Sequence, residues 1–115
     1  KDPVIEVGNL KAKRDFTDVR DVVRAYHLAA QKCAGGEAYN VCSGKLFEIG
    51  EILERMIAVS GVRLKVRQDK ERVRKVDITY VCGDPSKFVK KTGWRPEYSL
   101  DDTLKDLLAY WMERA

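Results

Sequence analysis

Histidine, paired cysteine and long apolar runs are what this sequence has least of. His27 is the only histidine, and Cys33, Cys42 and Cys82 are an odd set of three with no Cys-x-x-Cys spacing. A zinc site would therefore lack ligands, and a complete disulfide framework is excluded. The three cysteines stand in apolar company, where a free thiol behaves as a small buried hydrophobe, so a reducing compartment is expected. No apolar run reaches 18 residues and no signal-peptide pattern opens the chain, so the expectation is a soluble cytoplasmic protein without a membrane span.

Catalytic signatures are missing as well. There is no GxSxG elbow, no HExxH and no Cys/His pair. Gly35-Gly36 follows a predicted helix, whereas the glycine-rich turn of a dinucleotide site follows a strand. The acids are scattered, with no two that helical or strand periodicity would hold face to face. His27 reads as a packing or surface residue. No catalytic residue and no metal ligand is assigned.

What is present is a 115-residue globular composition, 44% hydrophobic and 35% charged, with a net charge of +4. That is one domain's worth of chain, able to bury roughly two-thirds of its unfolded surface. Residues 61–95 carry eleven Lys or Arg against four acids, and the last twenty carry two against five. A basic surface of this kind attracts anions, most commonly phosphates.

Val4–Val7 reads as a short strand closed by Gly8-Asn9. A basic loop then leads to Arg14 and to a helix beginning at Thr17, its expected N-cap. Val19, Val22, Val23, Tyr26, Ala30 and Cys33 recur at helical spacing and are expected to form its core stripe. Ala38–Cys42 is β-prone and bounded by Gly36 and Ser43-Gly44, hence a buried strand. A helix over 47–60 has Ile49, Ile52, Leu53, Met56 and Ile57 on its core face. Alternation over 62–67 predicts a strand with one cationic face. Residues 68–77 form a charged loop with room for a turn of helix, and 78–82 a short strand or buried extended segment. Asp84-Pro85 starts a short basic helix ending at Gly93. Ser99 caps the last helix, whose face is Leu100, Leu104, Leu107, Leu108 and Trp111. Trp94 and Trp111 are both assigned to the core.

Within that frame Arg14 stands just before the chain re-enters the core at Phe16. Its guanidinium suits a bidentate phosphate or carboxylate. The alternative is a surface ion pair with Asp15 or Asp18. A nucleic-acid-binding module using residues 63–91, or a pure interaction module, also stays open. The lack of aromatics interleaved with those charges argues against nucleic acid.

Four motifs then occur in one order: Gly8-Asn9-Leu10 with Arg14-Asp15-Phe16-Thr17-Asp18-Val19-Arg20-Asp21; Tyr39-Asn40-Val41-Cys42-Ser43-Gly44; Gly83-Asp84-Pro85-Ser86-Lys87; and Thr92-Gly93-Trp94-Arg95-Pro96. Together they resemble the C-terminal, substrate-binding part of the extended short-chain dehydrogenase/reductase family. The resemblance is closest to the GDP-mannose 4,6-dehydratase and GDP-6-deoxy-mannose reductase branch. It implies a mixed α/β fold, with a small few-stranded sheet and about four helices. It further implies that residues 1–115 are a single sugar-nucleotide-binding domain, a piece of a longer homo-oligomeric enzyme. The cofactor, NAD or NADP, and the catalytic Tyr-x-x-x-Lys would belong to an N-terminal Rossmann half outside these residues. A nucleotide-diphosphate sugar is the implied ligand. Arg14 matches the family's diphosphate-binding arginine, and Arg74 with Asp77 the Arg-x-x-acid pair that holds the diphosphate and nucleoside. Lys75 stands where relatives usually have proline. Asn9 and Leu10 lie where the chain approaches the nucleotide.

Overall fold

The computed structural model describes residues 3–73 and 79–115. Strand β1 (Val4–Val7) is followed by the two-residue strand β2 (Lys13–Arg14) and helix α1 (Val19–Lys32). Next come β3 (Phe47–Glu48), α2 (Ile49–Ser60) and β4 (Lys65–Gln68), then a 3-10 turn at Lys70–Arg72. The described chain ends with β5 (Tyr80–Val81), α3 (Ser86–Thr92) and α4 (Leu100–Arg114). This is the mixed α/β architecture expected, with four helices.

The strands form two small sheets. β1 and β4 pair in parallel, Val4 opposite Lys65 and Val7 opposite Gln68, which requires the long crossover that β2, α1 and α2 supply. β2 lies at the centre of the second sheet, antiparallel to β3 and parallel to β5.

The core sits where α1 meets α3. Ala25, Phe88 and Trp94 are fully buried there, and Tyr39, Val41, Leu28 and Val89 pack around them. Phe88 meets both Tyr39 and Trp94 edge to face, at centroid distances of 5.8 Å. That geometry suits the ring quadrupoles. The Trp94 indole N–H donates to the Asp21 carbonyl at 3.0 Å, so the large ring is buried with its one polar atom satisfied.

Several expectations need correction. Asp18, not Thr17, caps α1, its carboxylate accepting from the Arg20 N–H at 2.9 Å. The stripe Val19, Val23, Tyr26 and Ala30 faces outward, Val19 being 70% exposed. The buried side of α1 is Asp21 and Ala25, with Leu28 and Ala29 beside them. The polar Asp21 disguised that face as a wet one.

Residues 38–42 hold Tyr39 and Val41 against the core but pair with no strand among the described residues. α2 starts two residues later than expected, because Phe47 and Glu48 join the sheet, and its apolar face is only half-buried. β4 begins at Lys65, and Val66 on its apolar face is exposed. Trp111, with Tyr110 and Met112, projects into solvent from the end of α4. Of the cysteines, Cys33 and Cys42 are half-buried, but Cys82 is exposed. His27 is on the surface, as expected.

The exposed apolar faces share a cause. The radius of gyration is 17.2 Å, against about 13 Å for a compact chain of this length. The accessible surface is 8713 Å², against about 6,400 Å² for a compact monomer of this mass. Apolar faces that periodicity detects correctly outnumber the surfaces present to cover them.

Candidate functional site

The turn after β1 is built by its own side chain, Asn9 Oδ1 accepting from the Lys11 N–H at 2.9 Å. Gly8 lets another segment come close: a Cβ there would stand 2.7 Å from the Arg72 carbonyl oxygen. The start of the charged loop is thus laid directly on the Gly8-Asn9 turn. It is fixed there by the Asp69 N–H donating to the Val7 carbonyl at 2.8 Å, and by Asp69 capping the 3-10 turn. The Leu10 carbonyl accepts from the Gly50 N–H at 2.8 Å and the Ala12 carbonyl from the Ile49 N–H at 2.9 Å, which docks the start of α2 on this loop.

Arg14 then occupies the middle of the three-stranded sheet. Its partners are Phe47 on one side and Val81 on the other. The residue is half-buried, and its Nη1 donates to the Lys13 carbonyl at 2.8 Å. Asp15 and Asp18, offered by the sequence as surface partners for Arg14, are engaged elsewhere. Asp15 Oδ1 accepts from the Ser43 N–H (3.1 Å), the Ser43 hydroxyl (2.6 Å) and the Thr17 hydroxyl (3.3 Å), while Oδ2 accepts from the Gly44 N–H (2.7 Å). Asp18 accepts two hydrogen bonds from the Arg20 guanidinium, which donates a third to Asp106, and one from Thr103 on α4. The Arg20 hydrogen bonds hold the Asp18 carboxyl well below the usual carboxylate range, against the opposing effect of burial.

Of the five residues read as a site, the structure places Asn9, Leu10 and Arg14 on one continuous turn-and-strand segment, with Arg72 against its start. Arg74 and Asp77 lie outside the described residues. Sequence reading missed Asp15 as an organising residue. Apart from the Thr17 hydroxyl, its donors are 28 and 29 positions away, and no spacing rule connects them.

A cavity of about 780 Å³ lies elsewhere, between α2, α4, the start of α1 and residues 95–99. Phe47, Ile52, Met56 and Leu104 form apolar walls, and Lys45, Arg55 and Arg95 lie among its polar residues. Arg14 is not part of its lining, so this cavity and Arg14 are separate features.

No described residues form a glycine-rich strand-to-helix turn that would fit a dinucleotide, since Gly35-Gly36 follows α1. Among them no group of histidine, cysteine and acid side chains is placed to hold a metal. No described helix is long and apolar enough to cross a membrane.

The model of the family described as GDP-mannose 4,6 dehydratase matches residues 1–107. The chain belongs to that family. The resemblance read from the four ordered motifs and this match agree. GDP-6-deoxy-D-mannose reductase of Pseudomonas aeruginosa is 36% identical over 110 residues, covering 96% of this chain and 36% of the relative. A solved structure from Pseudomonas aeruginosa complexed with NADPH superposes with a TM-score of 0.91 at 34% identity. That match covers 97% of this chain and 37% of the other. UDP-glucose 4-epimerase with UDP-glucose from Thermotoga maritima gives 0.85 at 27% identity, over 99% and 36% of the two chains. Relatives of this family member are thus sugar-nucleotide reductases, dehydratases and epimerases, and the chain spans little more than a third of their length.

Proposed function

We propose that this chain is the sugar-nucleotide-binding part of an NAD(P)-dependent dehydratase, reductase or epimerase, with a GDP-sugar as the ligand. The observation that carries the reading is Arg14: a half-buried arginine at the centre of a three-stranded sheet, next to a carboxylate with its own donors. A guanidinium mounted in this way loses little further freedom when it meets a diphosphate, which it can bind bidentately. Arg74 and Asp77 are assigned to the opposite side of the ligand. The Arg72 carbonyl against Gly8 supports this, since the segment leading to them starts beside Asn9. Asn9 and Leu10 line the approach to the nucleotide.

The catalytic groups and the nicotinamide site belong, in this reading, to a Rossmann half of the parent protein. The outward apolar stripe of α1 and the segment 38–42, which pairs with no strand among the described residues, are surfaces for it to cover. Binding energy collected on the diphosphate would position the sugar for hydride transfer there. The test is calorimetric binding of GDP and GDP-mannose to the full-length polypeptide. Arg14→Ala should weaken binding by at least ~2 kcal/mol, as for a charge-assisted contact. Unchanged affinity overturns the role given to Arg14. The 115-residue chain by itself should show no turnover, and cofactor-dependent activity from it would overturn the division of labour.

A further inference from the structure

The cavity between α2 and α4 is of ligand size. Packed interiors leave few voids larger than a water, whereas about 780 Å³ lies within the range of small-molecule pockets. Its apolar walls come from three elements. Ile52 and Met56 belong to the half-buried face of α2, Leu104 and Leu107 to α4, and Phe47 to β3. Leu104 is 4% exposed and Leu107 45%, so the α4 wall runs from the packed interior out toward solvent.

The charged groups around this space are unequally engaged. The Asp18 carboxylate holds the Arg20 guanidinium at 2.8 Å and the Thr103 hydroxyl at 2.6 Å. Asp101 holds Arg55 at 3.1 Å, and Glu97 lies 3.7 Å from Arg24. Each acid of the lining thus already has a cation. Lys45 and Arg95 differ: among the described residues neither side chain makes a hydrogen bond or an ion pair. Lys45 meets Ser43 through its backbone, and Arg95 meets Arg24 through its carbonyl. A cationic occupant would have to break existing pairs, and a neutral one would leave both cations unanswered. An anion with an apolar body satisfies walls and charges together.

We propose that this cavity binds an aliphatic carboxylate, its hydrocarbon chain lying between α2 and α4 and its head group toward Lys45 and Arg95. The site does not depend on the role given to Arg14, which is not part of the lining.

The test is calorimetric titration of the full-length polypeptide with octanoate, octanol and octyltrimethylammonium, which share one chain and differ in head charge. Octanoate should bind at least about fivefold more tightly than either of the others. Hexanoate, two methylenes shorter, should bind on the order of tenfold more weakly than octanoate. Lys45→Met together with Arg95→Gln removes both charges at exposed positions and should erase most of the preference for octanoate over octanol. Met56→Trp fills part of the cavity and should lower octanoate affinity on the order of tenfold. Leu107→Trp, at an exposed position on the opposite wall, should do the same and serves where Met56→Trp does not fold. Saturating GDP should change octanoate affinity by less than about twofold, below the usual size of coupling between sites. No octanoate binding, as when another part of the polypeptide fills the space, would overturn the site. Equal affinity for octanoate and octanol would overturn the role of the two cations, and unchanged affinity in the folded tryptophan variants the location. Displacement of octanoate by GDP would make the cavity part of the nucleotide site and overturn its independence.

Discussion

Replacing Asp21 by alanine removes a fully buried carboxylate that joins two distant parts of the chain. Its Oδ1 accepts from the Glu97 N–H at 2.9 Å and from Arg24 at 3.3 Å, and its Oδ2 accepts from the Tyr98 N–H at 3.2 Å. Asp21→Ala leaves both N–H groups without their acceptor and loosens the turn that carries Trp94. Two charge-assisted hydrogen bonds lost at about 1.5–3 kcal/mol each would cost roughly 3–6 kcal/mol. Residues 97 and 98 are themselves exposed, so water can reach the orphaned groups and the low end applies. Arg24 keeps its neighbours Glu97 and the Arg95 carbonyl, so its own loss is small. The expected cost is therefore about 3 kcal/mol. With an unfolding entropy near 2.1 cal/mol/K per residue, this lowers Tm by roughly 12 °C for a unit of this size. Asp21→Asn retains one acceptor but turns an NH₂ toward the other N–H, and should cost about half as much. Urea unfolding should show a lower midpoint with an unchanged m-value, because the surface exposed on unfolding is the same. A melting temperature for Asp21→Ala within about 3 °C of the parent would refute the claim that this carboxylate holds the 94–98 turn on α1.

Further expectations follow from other contacts. Gly8→Ala should cost about 1–3 kcal/mol, because its methyl would meet the Arg72 carbonyl, and should also weaken GDP binding by displacing the loop that leads to Arg74. Full stability and affinity in that variant would show that the two segments do not bear on each other. Trp94→Ala should cost about 3–5 kcal/mol, whereas Trp111→Ala in the 115-residue chain should stay within about 0.5 kcal/mol in chemical denaturation. Equal costs would contradict the burial difference between them. Asp18 has its carboxyl lowered in the folded state, so its contribution is present at neutral pH and is lost as pH falls through and below about 4. Asp18→Asn should flatten the acid limb of a stability-against-pH curve by on the order of 2 kcal/mol, and an unchanged acid limb would argue against the Arg20 pairing.

Elements whose signals are local were legible in advance. Val4–Val7 carries its own β-propensity and its Gly-Asn stop, Ser99 accepts from the Asp102 N–H at 3.1 Å as its spacing implied, and Trp94 went to the core. Asp84 accepts from the Ser86 N–H at 2.9 Å at the start of α3. The basic segment ending at Arg14 was visible because charge and turn residues are contiguous. The same holds for the family, whose motifs are short and ordered along the chain.

Tertiary contacts decided the rest. Periodicity found the apolar stripe of α1 but could not say that it would face outward, because the buried side of that helix carries Asp21, a residue any pattern marks as wet. The two-residue strands β2, β3 and β5 have no pattern to detect and exist only through pairing. Asp15 reads as a surface acid until Ser43 and Gly44 arrive beside it. By itself the sequence determined the local elements, the basic character and the family, since each depends on neighbouring residues. Only the fold determined which acids are structural and where Arg14 stands, since those depend on donors far away in the chain.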